Sequence, residues 1–156
     1  MLAPSIVTKN NMIATSAYLR VVRASAWYDF VVTIGFATPW TFAAILAGLE
    51  ELSGLLGITA RFPTFEPVHM LMANLLGSIV TVWAILRLRD TRVQYGRYDA
   101  AGRFLFATWQ LYALVQGAHP IVWSFLVVEV AFGIAQALPI DDARCGENAL
   151  QAEVPG

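Results

Sequence analysis

Glu129 is the one carboxylate inside the most apolar stretch of the chain, Pro120 to Leu138, PIVWSFLVVEVAFGIAQAL. As a helix rising ~1.5 Å per residue, that stretch spans ~28 Å, close to the ~30 Å hydrocarbon core of a bilayer. An ionisable group at such depth costs at least ~2.5 kcal/mol to insert and normally faces a protein interior or a wet cavity. Three chemistries are open to it. A protonated Glu129 hydrogen-bonded to Gln110 or Ser78 is structural. A titrating Glu129 carries a proton or balances the charge of a cationic amphiphile. A general acid or base, with His69 or His119 as partner, acts on a lipid-soluble substrate.

The remaining polar residues of the apolar runs follow helical spacing. Asn74, Ser78 and Thr81 recur at i, i+4 and i+7 in HMLMANLLGSIVTVWAILRL and so share one stripe. Ala73 and Gly77 beside that stripe leave room for a neighbouring helix, and the polar stripe itself can serve as interhelical glue. Thr38 and Thr41 flank Pro39 and can satisfy carbonyls freed by a proline kink. Gln110 shares a helix face with Ala113 and Gly117, and Glu129 shares one with Gly133 and Gln136. Across a tight antiparallel hairpin the two faces meet, and the Gln110 amide comes within reach of Glu129. Trp109, next to Gln110, either packs or lines a pocket. The candidate ligand-binding set is therefore Glu129, Gln110, Trp109, Ser78, Asn74 and Thr38. No catalytic motif names a reaction, and no cofactor is implied. Two histidines make a weak metal signal, so no metal site is expected. The lone Cys145 excludes an intrachain disulfide.

Positioning these groups requires an all-α integral membrane protein. The chain is 58% hydrophobic and 13% charged, far from the ~50% and ~25% of soluble domains. Four spans are expected, at 27–49, 69–88, 101–117 and 120–138, forming a four-helix bundle. The first is kinked at Pro39. Residues 1–26 form a cytoplasmic or interfacial segment in which Met12 to Arg23 lies as a helix on the membrane surface. Glu50 to Val68 is too polar and broken to span, and packs over one mouth of the bundle. Arg87 to Arg103 is a charged connector with a turn at Tyr95-Gly96. Gly117 and Pro120 make a tight hairpin between the last two spans. The tail, 139–156, is polar, acidic and flexible.

Charge sets the orientation. Nine of the ten lysines and arginines fall before the first span, around the connector or in the tail, and only Arg61 falls on the opposite side. The positive-inside rule places both termini in the cytoplasm, as expected of a multi-pass protein of a bacterial inner membrane. A net charge of −1 gives no basic surface for nucleic acid. The expected partners are the lipid bilayer, a lipid-soluble small molecule, and a second copy or another membrane protein. Three functions are consistent with these residues: a binding protein for a hydrophobic ligand or membrane partner, a membrane-embedded isomerase or cyclase acting on a lipid or isoprenoid, and a proton-coupled small exporter.

Overall fold

The computed structural model describes residues 13–141, most of which lie in five α-helices. These are α1 (Thr15–Thr33), α2 (Pro39–Leu55), α3 (Pro67–Arg89), α4 (Val93–Val115) and α5 (Val122–Ala137), with a 3-10 turn, Ile34–Phe36, after α1. The all-α expectation holds. One two-residue parallel ladder, Ile13–Ala14 beside Ile140–Asp141, ties the chain before α1 to the chain after α5. Of the tail expected to be flexible, 142–156, including Cys145, lies outside the described residues, as does 1–12.

The first span is corrected. Instead of one kinked helix over 27–49, α1 already begins at Thr15, and the chain bends by 106° between its end and α2. The cause is local. A residue before proline avoids helical backbone, and Thr38 is extended at φ −132°, ψ 150°. Pro39 then sits in the first turn of α2, where its missing N–H has no partner to lose, and Thr38 Oγ1 accepts from the Thr41 N–H at 3.3 Å. A proline behind a capping residue starts a new helix. Of the surface helix expected over Met12 to Arg23, Met12 lies outside the described residues and Thr15 onward forms the first half of α1.

The connector is corrected as well. α4 begins at Val93 rather than 101, and Tyr95-Gly96 lies within it. Gly96 is kept in the helix because a Cβ there would stand 2.5 Å from Val22 Cγ2 and 2.7 Å from the Tyr18 hydroxyl. Its bare backbone lets α1 approach, which outweighs the ~1 kcal/mol helix cost of glycine. Gly77 plays the matching part on α3, where a Cβ would meet the carbonyl carbon of Phe36 at 2.5 Å. Asn74 Nδ2 donates to the Phe36 carbonyl at 2.8 Å beside it. Asn74 and Gly77 of α3 thus seat the 3-10 turn.

α4 and α5 are antiparallel neighbours joined through Gly117 at φ 89°, as the Gly-Pro spacing predicts. α1 packs along α3 and also touches α4 and α5. α2 buries only Phe42 and Ser53.

The distribution of polarity is inverted. Arg87, Arg103, Asp29, Asp99, Glu129, Ser25 and Gln136 are buried, while Leu71, Leu75, Ile79, Val82, Leu105 and Val127 point outward. Among the described residues, α3 alone is long and apolar enough to cross a membrane; α1 with α2 passes only as a bent pair, and α5 is apolar but shorter.

Candidate functional site

Five buried charges from four helices meet between the helices. Asp29 comes from α1, Arg87 from α3, Asp99 and Arg103 from α4, and Glu129 from α5. Arg103 stands ten residues into α4, ~15 Å along its axis. Each of its nitrogens is engaged. Nε donates to Asp99 Oδ2 at 3.0 Å, Nη1 to Glu129 Oε2 at 2.8 Å and Nη2 to Asp29 Oδ2 at 2.7 Å. Arg87 reaches Asp29 Oδ2 through Nη2 at 2.5 Å and Asp99 Oδ2 through Nη1 at 2.6 Å. Trp83 Nε1 donates to Asp99 Oδ1 at 3.0 Å. Ser25 Oγ accepts from Gln136 Nε2 at 2.6 Å.

This pattern has two consequences. Asp29 and Asp99 are each held by both guanidiniums, whereas Glu129 is held by one. Three carboxylates against two guanidiniums also leave the cluster one formal negative charge. The arginines are 0% and 3% exposed, so neither charge is shared with water. Removing one member of such a network typically costs ~3–5 kcal/mol, because its partners stay buried and unpaired.

A cavity of about 690 Å³ opens above this cluster. Its floor is Asp29, Asp99, Arg103 and Glu129. Its walls are apolar, with Val80 on α3, Phe106 on α4, Phe125 on α5 and Phe36 at the turn. A cover lines the cavity as well, formed by Phe42 and Leu46 of α2 and by Phe62 and Phe65 of the segment that follows. Phe65 meets Phe42 edge-on at 5.1 Å. The cover is pinned to the α4–α5 turn by His119. The Ile121 N–H donates to His119 Nδ1 at 3.2 Å, so that nitrogen is the acceptor and Nε2 donates to the Ala60 carbonyl at 2.9 Å. Phe62 stacks on the imidazole at 4.3 Å.

The residues singled out in the sequence divide. Glu129 and Gln110 both line the cavity. They are not bonded to each other: Glu129 pairs with Arg103, and Gln110 Oε1 is buried without a partner. Asn74 holds Phe36, and Thr38 caps α2. Ser78 and Trp109 lie on the outer surface, Trp109 64% exposed. Asp29 pairs with Arg103 at 2.7 Å, within a network with Arg87 and Asp99 that sequence reasoning missed. The signal was present in the Asp99–Arg103 spacing of i, i+4, which reads as a helical ion pair once the connector is taken as helix.

No protein-family model matches the chain, and neither a curated protein nor a solved structure matches it.

Proposed function

We propose that this chain is a multi-pass membrane protein that binds a lipid-soluble ligand in the cavity above the Asp29–Asp99–Arg103–Glu129 floor. The observation that carries the reading is the cavity itself: about 690 Å³, within the ~300–1,000 Å³ range of small-molecule sites, apolar in its walls and charged at one end.

The membrane part of the reading is supported by the inverted polarity and by α3. Only 17% of the apolar window of α3 is buried within the chain, whereas a core helix of a soluble domain is mostly buried. In this reading α1, α3, α4 and α5 form the bundle and α2 lies across its outer end. Arg87 and Arg103 are internal and leave the orientation count, which falls from nine against one to seven against one and still favours cytoplasmic termini. Binding is favoured over acid–base catalysis because Glu129 is engaged by Arg103, while His69 is exposed and His119 is committed to the cover.

Native mass spectrometry of the protein in neutral detergent tests this reading. Wild type is expected to retain a small lipid-soluble molecule or to take up added lipophilic probes. Val80→Trp, which fills the cavity from its wall, is expected to bind neither while unfolding at a similar temperature. Equal loading of both proteins, or of neither, would contradict the proposal.

A further inference from the structure

The proposed binding function leaves the chemistry of the ligand open, and the floor of the cavity restricts it. Of the charged side chains that line the cavity among the described residues, the only cation is Arg103, and its nitrogens are all engaged by Asp99, Glu129 and Asp29. Arg87 lies behind the floor, fully buried, and does not line the cavity. What the floor has left to offer is acceptors. Glu129 Oε1 and Asp29 Oδ1 receive no hydrogen bond among the described residues, each arginine contact going to the other oxygen of the pair. Glu129 and Asp29 are nevertheless 9% and 8% exposed, and both face the cavity. Gln110 Oε1 supplies a third unpartnered acceptor on the wall. The tyrosines of the lining, Tyr28 and Tyr98, accept as readily as they donate.

Charge points the same way. The floor carries one formal negative charge in excess, and Glu129, with a single guanidinium contact, is its least neutralised member. An anionic head such as a fatty carboxylate would meet acceptors and a like charge, with no free guanidinium to receive it. A neutral hydroxyl would donate one hydrogen bond and leave the excess charge unbalanced. An ammonium has three N–H donors and the complementary charge, and the ring of Tyr28 in the lining gives it an aromatic face.

We infer that the cavity takes an amphiphilic amine, its ammonium set against Glu129 Oε1, Asp29 Oδ1 and Gln110 Oε1 and its hydrocarbon body among Phe36, Phe106 and Phe125. Glu129 is the counter-ion in this arrangement. The inference rests on the binding function proposed above, and three probes with one hydrocarbon chain separate the two: oleylamine, oleyl alcohol and oleic acid, each radiolabelled and bound to the full chain in neutral maltoside detergent.

Wild type is expected to bind oleylamine about tenfold or more tighter than oleyl alcohol, with oleic acid weakest. Glu129→Gln keeps an oxygen for Arg103 Nη1 and brings the floor to two carboxylates against two guanidiniums. It should lose most of the preference for the amine while still binding the alcohol, which also reports that the cavity persists. Gln110→Leu, which leaves the charge untouched, should weaken the amine more than the alcohol. Alcohol or acid binding as tightly as amine in wild type, or a preference for amine that survives Glu129→Gln, would overturn the inference and leave the cavity reading standing. Failure of all three probes to bind would instead overturn the cavity reading itself.

Discussion

The floor and the cover of the cavity are held by different forces. The floor joins α1, α3, α4 and α5 through charge-assisted hydrogen bonds, several to each carboxylate of Asp29 and Asp99, with the arginines sealed from solvent. The cover, α2 and the residues up to Phe65, rests on aromatic contacts, the seat of Phe36 on Gly77 and Asn74, and the hydrogen bond from His119 to Ala60. α2 itself buries two residues. Multiple strong bonds in a low-dielectric setting specify one geometry, whereas a few weak contacts permit local opening at low cost. A binding site needs both: a fixed end to recognise the polar head, and a side that yields so that an apolar body can enter.

The largest effect is expected from breaking the floor at its centre. Arg103→Leu leaves Glu129 without a guanidinium and both aspartates with one, and should cost ~3–5 kcal/mol, read as a large drop in unfolding temperature or a failure to accumulate. Arg103→Lys should recover little of this, since one ammonium cannot reach three carboxylates in the directions a guanidinium does. Next is the joint between the two regions. Gly77→Val places side-chain atoms where the Phe36 backbone stands, and a loss of ~1–3 kcal/mol is expected in thermal unfolding, together with weaker probe binding as the turn is pushed toward the cavity. A smaller effect is expected in the cover. His119→Ala removes the bond to Ala60 and the stack on Phe62, which should lower global stability by ~1 kcal/mol and speed ligand release more than it changes unfolding. Smallest is Trp109→Ala, on the outer surface, which should fall within ~0.5 kcal/mol of wild type and leave probe binding unchanged. If Trp109→Ala abolished binding, the cavity would be the wrong site.

The α4–α5 hairpin and the buried face of α5 were legible because their signals are local. Gly117 and Pro120 mark the α4–α5 hairpin, and the face formed by Glu129, Gly133 and Gln136 is the buried face of α5. The break before α2 was harder to read. Hydropathy runs on through Gly35 and Pro39, so an apolar pattern alone joins two helices that a capping threonine and a first-turn proline separate. Gly96 misled in the opposite sense, since a glycine beside charged residues reads as a turn unless the partner helix that needs its bare backbone is known. The network was concealed for the same reason. Arg87 sits at the end of an apolar run and Asp99 inside an arginine-rich one, and only the packing of α1 onto α3 and α4 turns these apparent surface charges inward. Glu129 and Gln110 were visible as polar residues in apolar helices, whereas which of Ser78, Asn74, Thr38 and Trp109 face the cavity depends on rotations that spacing does not set.

Hydrogen–deuterium exchange on the reconstituted protein, with and without oleylamine, tests most directly whether a yielding cover closes on a fixed floor. The expected result is ligand-dependent protection across 39–66, the α2 and cover residues, with little change in α1 and in the first half of α4, where the floor is already fixed. Protection spread evenly over all five helices, or confined to the floor with the cover unchanged, would contradict this account.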